Sequence, residues 1–462
     1  MRAVLPAFTV LLLTAPTFAV EAITYKGTLA GMPVVVELTD PADGPVVGRY
    51  SYLEHGVDIP LQLADAASGQ VVLTEEAPCA EGLCPMDEDY ELTSWPVAAT
   101  WTLSIAAGGA VTGTWQAEGK SKQLAVALHK VGQRTIPEGK EHTPAGLHDS
   151  AFEVFYQPNL AFSAETFPYD FIKMDVALEE GPVETLDGSH FHYVTDPRTK
   201  FAFPRLLDLT DGSDVAAANA ALARAHARIN IAAFDCLSQA YAGFGGRDDM
   251  LDMGIGTLAG YEDETVAVTY LSPTVTSWTE SGSTFCAGAY PNNHEDVSII
   301  DTKTGENLPV VRVFKDWVAV SKIGDYEASI DQAAALASPQ DYRWQAGQKL
   351  IDYVIANNTT EDPSFEDDCG IDELIASNLG VRFLPGDKVV FDLQNLPHVI
   401  FACGEDLLTV KLADIPELLA PTAVDVFPGL AKSCLIRHGL MPERYWRRTD
   451  QAFTKSPKLE AR

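Results

Sequence analysis

Tyr25-Lys26-Gly27-Thr28-Leu29, Val34-Val35-Val36-Glu37-Leu38 and Gly48-Arg49-Tyr50-Ser51-Tyr52 set the fold class of the N-terminal part of the chain. Each run is short and rich in β-branched or aromatic residues. Turn-forming runs such as Asp40-Pro41-Ala42-Asp43-Gly44 separate them. Side chains in a strand alternate between two faces, so such runs, punctuated by Gly and Asp, predict an antiparallel sheet. Thr112-Gly113-Thr114-Trp115 continues the pattern, and Leu124, Val126 and Leu128 alternate with Ala125 and Ala127 in its last strand. The reading is α+β overall, with a β-rich module over 23–131 that forms a small barrel or sandwich.

Gly132 to Ser150 is rich in Gly, Pro, Glu, Lys and His and lacks periodicity, so 132–150 reads as a linker. From 151 to 430 strands and helices mix without regular alternation, which indicates an α+β domain. Phe171 to Leu178 is a strand candidate. A long Ala-rich helix is predicted from Asp214 to Tyr241, with Leu222, Ala225, Ile229, Ala232 and Cys236 on one face and Gly243, Gly245 and Gly246 ending it. Further strands are read at Val266–Leu271, Val297–Asp301, Lys388–Leu393 and Leu407–Val410. A helical zone is read over Ser329–Asn357, with a break near Pro339, and a short helix at Leu412–Leu419. The 431–462 tail is basic, carrying Arg437, Arg444, Arg447, Arg448, Lys455, Lys458 and Arg462. Two readings of it stand: a docking arm for an anionic surface, or a terminus that folds back on an acidic body.

The chain has 462 residues, 46% of them hydrophobic, enough for a large buried core. It carries 32 basic and 65 acidic residues, a net charge of −33. Nucleic acid and anionic membrane surfaces repel such a polyanion, and cationic partners attract it. Met1 and Arg2 precede an apolar stretch from Ala3 to Ala15, with small residues at Thr17-Phe18-Ala19 and Val20-Glu21-Ala22. This reads as a signal peptide over 1–22, too short to span a bilayer. The expected location is periplasmic or secreted, with no membrane span.

Export makes disulfides the default use of the seven cysteines. The expected pairs are Cys79 with Cys84, Cys236 with Cys286, and Cys369 with Cys403, which leaves Cys434 over; spacing alone does not fix connectivity. No common catalytic signature occurs, and no cofactor motif is complete. His190 and His192 would share one face of a strand, and with His294 or an acidic residue they would make a zinc site; two histidines on a solvated strand face is the plainer alternative. His226 reads as a satisfied histidine at the core's edge. The acidic run Glu361-Asp362 and Glu366-Asp367-Asp368 reads as a solvated loop or as oxygen ligands for calcium.

One stretch is more specific: Cys286-Ala287-Gly288-Ala289-Tyr290-Pro291-Asn292-Asn293, followed by Ile300-Asp301-Thr302-Lys303-Thr304-Gly305. A strand ends in a turn, and a hairpin follows that reverses at Thr-Gly. This pattern resembles a family of exported bacterial domains that includes the extracellular lysozyme-sensing part of an anti-sigma factor and the non-catalytic region of a peptidoglycan deacetylase. The family shows Gly-Gly-Ala-His-Pro-Asn before Asp-x-x-Thr-Gly; here Ala287 replaces the first Gly and Tyr290 the His. The ending from Lys388 through Cys403-Gly404 to Leu419 is also similar, so the resemblance covers about 167–420. It implies recognition of an envelope-related partner rather than catalysis: a cationic lysozyme-like protein or peptidoglycan. The binding candidates are Gly288, Tyr290, Pro291, Asn292 and Asn293, unless that turn only locks the hairpin. The competing expectation is a hydrolase acting on envelope glycan or peptide, with or without a metal, which would need a cleft where His190, His192 and a nearby Asp or Glu converge.

Overall fold

A computed structural model describes residues 20–67, 70–80, 82–88, 92–136, 142–148, 162–246, 264–284, 292–325, 327–359 and 369–432. The chain divides into two compact units, 1–176 with 231–255, and 177–230 with 256–462. Among the described residues no helix is long and apolar enough to cross a membrane.

The first unit is built on a closed antiparallel barrel of eight strands in sequence order. They are β1 (Val20–Leu29), β2 (Met32–Thr39), β3 (Gly48–Tyr52), β4 (Ile59–Ala67), β5 (Gln70–Glu76), β6 (Val97–Ile105), β7 (Ala110–Ala117) and β8 (Gln123–Ile136). Of the two forms expected, barrel and sandwich, the barrel is the one adopted: β1 pairs with β2 on one side and with β8 on the other. Closure leaves no open sheet edge. Alternate residues fill the interior, among them Tyr25, Val36, Tyr50, Leu73, Trp101 and Val111.

Val35, Glu37, Arg49 and Ser51 point the other way, yet all are fully buried. The outer wall of β1, β2 and β8 is covered by α1 (Pro168–Met174). The fit is close enough that a Cβ on Gly132 would lie 2.4 Å from Pro168 Cβ. Two expectations are corrected here. Phe171–Leu178 is not a strand: Phe171 to Met174 are helical, because Pro168 opens a helix whose buried Tyr169, Asp170 and Lys173 find partners on the barrel. Nor is 132–150 a plain linker: 132–136 complete β8, and 144–148 form a helical turn with Leu147 and His148 buried.

In the second unit, three-stranded sheets form in the orders β11-β10-β9, β12-β13-β14 and β17-β18-β19, beside the pair β15–β16. The strands are β9 (Glu179–Leu186), β10 (Ser189–Thr195), β11 (Ala202–Asp208), β12 (Thr265–Leu271), β13 (Val275–Thr284), β14 (Asn292–Asp301), β15 (Trp317–Lys322), β16 (Tyr342–Ala346), β17 (Leu379–Leu384), β18 (Lys388–Leu393) and β19 (Asp406–Lys411). The long helix α2 runs from Ala216 to Ser238; its residues to Asn230 group with this unit and those from Ile231 with the barrel. The zone 329–357 holds α3 (Gln332–Ala337) and α4 (Gln348–Asn357), with the strand β16 between them that the helical reading missed. Leu412–Leu419 is no continuous helix; it starts with a single 3₁₀ turn, Leu412–Asp414. A further helix, α5 (Ile371–Asn378), leads into β17. The core gathers Phe314, Phe383, Phe391, Leu407, Ile415 and Phe427, with Phe383 and Phe427 edge-to-face at 4.8 Å.

The Thr-Gly hairpin turns as its residues require. Gly305 has φ +68, and a Cβ there would meet Ala217 O at 2.3 Å. Its N–H donates to Asp301 O at 2.8 Å, while the Asp301 carboxylate accepts from Lys303 N–H at 3.0 Å. Thr302 is buried and donates to Ser272 O at 3.0 Å.

Candidate functional site

The second unit carries a cleft of about 380 Å³ along the first half of β14. Asn293, His294, Glu295 and Asp296 form one wall; Leu393, Asn395, Leu396, Pro397, Phe401 and Gly404 form the other. Two anchors shape the second wall. Cys403 is bonded to Cys369, and Asn378 Nδ2 donates to Gln394 O at 3.0 Å. Asn395 takes a left-handed backbone, φ 56, which Asn tolerates better than most residues.

Asn293 pairs with Ser283 across the sheet and accepts a hydrogen bond from its hydroxyl at 2.7 Å. His294 lies 3.0 Å from Glu264. Behind the wall, Glu280 stands opposite Asp296, is paired with Arg228 at 2.6 Å and accepts from the Trp278 indole at 2.9 Å. Burial pushes the Glu280 carboxyl up despite Arg228. The lining thus offers two carboxylates, amides, an imidazole and an apolar wall, and among the described residues includes no Lys or Arg. Such a surface suits a cationic ligand with an apolar part.

Of the turn expected to bind, Gly288, Tyr290 and Pro291 lie outside the described residues. Asn292 starts β14 opposite Thr284, and Asn293 enters the cleft. Sequence reasoning missed Glu295, Asp296 and the facing loop. The polar run Asn292-Asn293-His294-Glu295-Asp296 was the available signal, hidden because it continues the strand rather than the turn.

His190 and His192 both lie on β10, as expected. His190 is tied to Asp208 at 2.8 Å in a half-exposed pair, and His192 faces Arg205 in the register. Neither belongs to a group with metal-holding geometry among the described residues. His226 is buried and stacks on Phe203 at 5.5 Å. Arg205 can only donate, so Nδ1 accepts from it at 3.3 Å and Nε2–H donates to Phe201 O at 3.2 Å. Burial and then Arg205 push its pKa down to about 4, so it stays neutral. The pairs Cys79–Cys84 and Cys369–Cys403 are formed. Cys236 is also disulfide-bonded; Cys286, its expected partner, lies outside the described residues, as do Cys434 and the acidic run 361–368.

In the first unit, the charges hidden under α1 form one connected group. Arg49 donates to Glu37 at 2.8 Å, Asp58 at 2.9 Å and Asp170 at 3.0 Å. Arg134 holds Glu37 from its other side at 2.7 Å. Asp58 also accepts from Tyr169 at 2.7 Å and Lys173 at 3.0 Å. His148 Nε2 sits 3.0 Å from Asp235 and 3.9 Å from Asp58. Asp58, His148 and Asp235 place one ligand atom each within 4.8 Å of one another. Yet both Asp58 oxygens are already taken, and two cations adjoin them. Counting Arg49, Arg134 and Lys173 against Glu37, Asp58, Asp170 and Asp235, the group lacks one positive charge. A proton on His148 supplies it; a divalent ion would overshoot.

Burial alone would lower the His148 pKa, but Asp235, helped by Asp58, holds it above the ordinary 6.5. Stabilisation from this group is therefore complete below the ordinary value and is lost as pH rises through the folded one. Barrel-unit stability should fall as pH rises above the ordinary histidine value. A stability-against-pH series on wild type and H148Q checks this: the fall with rising pH should vanish in the variant, and an unchanged curve contradicts it. Glu37 behaves oppositely. Burial would raise its carboxyl, but Arg134 and Arg49 hold it below the usual range, so its contribution is lost only in acid.

In comparisons with known proteins, no family model and no curated sequence matches the chain.

Proposed function

We propose that the chain is an exported binding protein whose second unit recognises a cationic lysozyme-like hydrolase or another cell-envelope component through the β14 cleft. The observation that carries this reading is the cleft's chemistry: Glu295 and Asp296 beside an apolar wall, with no Lys or Arg in the lining among the described residues. A net charge of −33 steers cationic proteins toward the chain. The resemblance over 167–420 to a lysozyme-sensing family supports the same class of partner. Titration calorimetry against lysozyme, at low and moderate salt and with lysozyme activity followed in parallel, tests it. Saturable heat that persists at moderate salt, with loss of lysozyme activity, is expected. Heat that vanishes with salt would mean only polyanion attraction. No heat at either salt would remove lysozyme as the partner and make purified peptidoglycan the next ligand.

Export itself is part of the proposal, and two disulfides fit an oxidising compartment. β1 begins at Val20, and Ala22 is fully buried, paired with Thr39 and Arg134. Cleavage after Ala22 would cut into the strand; cleavage after Ala19 spares it. Mass spectrometry of the exported protein should find Val20 at the N-terminus, and a start at Ile23 would contradict this.

A further inference from the structure

The barrel keeps two buried acids, Glu75 and Glu76, apart from the charge group under α1. Glu75 shares the inward face of β5 with Leu73, two residues before it. Its Oε2 accepts the indole N–H of Trp101 at 2.8 Å and of Trp115 at 2.7 Å. Tyr50 packs edge-on to Trp101 at 4.9 Å and to Tyr52 at 5.5 Å. The contrast with the acids of that charge group is one of charge. Glu37, Asp58 and Asp170 each meet a Lys or Arg, and Asp235 meets His148. Among the described residues Glu75 and Glu76 meet neutral donors only, and burial pushes both carboxyls up; Glu76 is held by the Gln62 amide and the Gly243 N–H, whereas the donors to Glu75 are aromatic rings.

A buried carboxylate needs a positive partner or a proton. The surroundings here indicate what kind of partner fits. Trp101 and Tyr50 are fully buried and make a floor, whereas Tyr52, Trp115 and Tyr241 are partly exposed and Glu75 keeps 7% of its surface. The acid keeps a little exposed surface at that end of the barrel, and barrel mouths are frequent ligand sites. A hard metal ion would ask for six or so oxygen ligands, and one carboxylate among aromatic rings does not provide them. Aromatic faces attract organic cations instead, through their quadrupoles.

We propose that this end of the barrel binds an organic ammonium group, with Glu75 as its counter-ion and Tyr52 and Trp115 as its aromatic walls. The site is separate from the β14 cleft and does not depend on the function assigned there.

The test titrates tetramethylammonium chloride into the full chain at constant ionic strength, with sodium chloride as the matched control, and reads tryptophan emission. A saturable change is expected with tetramethylammonium and none with sodium, at a dissociation constant of about a millimolar, as one ion pair with cation–π contacts supplies. E75Q keeps an amide oxygen for both indoles, so it should fold with an unchanged melting curve and bind at least about tenfold more weakly. W115F provides a second reading that does not touch the acid and should weaken binding about threefold or more. No saturable change in wild type, or equal affinity in wild type and both variants, overturns the proposal.

Discussion

R49A should destabilise the barrel unit by about 3–5 kcal/mol, the cost of leaving buried charges without their partner. Arg49 is fully buried and joins Glu37, Asp58 and Asp170, so its removal takes a cation from three buried carboxylates at once and leaves the group's four to Arg134, Lys173 and His148. Its guanidinium also lies 4.1 Å from the centre of the Tyr169 ring. R49K would restore charge but not the three-way fork, so it should recover only part of the loss. Urea unfolding of the barrel unit, compared among wild type, R49A and R49K, measures this. R312A is the control: Arg312 meets Asp301 at 3.7 Å in a pair that is partly exposed, worth at most about 1 kcal/mol. A loss in R49A no larger than in R312A would contradict the account.

Removing the Cys369–Cys403 bridge should cost the second unit about 3–4 kcal/mol. The bridge joins residues 34 apart, and cross-linking a loop of that length restricts the unfolded chain by about this amount. The Cys79–Cys84 bridge spans only 5 residues, for which the same reasoning gives about 2 kcal/mol. Alanine at both positions avoids a reactive thiol. C369A/C403A should also bind a cleft ligand more weakly at temperatures where it remains folded, because Cys403 adjoins Gly404 in the cleft wall. Thermal unfolding of the two double variants checks the order of effects; a larger loss from C79A/C84A would contradict it.

The barrel is legible from sequence because its interior repeats every second residue. Tyr25, Val36 and Tyr50 announce the inward face directly. The outward face misleads. Glu37 and Arg49 look like solvent-facing positions, and nothing near them reveals that Asp170, 121 residues beyond Arg49, will pair with Arg49 or that its helix will cover that wall. The same long-range partnership turns the apparent strand beginning at Phe171 into a helix. At the candidate site, the Gly-Ala-Tyr-Pro turn drew the eye because Gly and Pro constrain the backbone visibly. Glu295 and Asp296 gain meaning only from the 393–404 loop that faces them, about a hundred residues later in the chain. Glu75 was silent for the same reason: its surroundings come from β3, β6 and β7.

The most direct test of the β14 cleft as a recognition site is calorimetry of lysozyme with wild type and E295K/D296K at moderate salt. Wild type should bind saturably. The double reversal, with its circular dichroism and melting unchanged, should lose about tenfold or more in affinity, since like charges would now face the partner. Equal affinity in the two proteins, or no binding by wild type, would contradict the account.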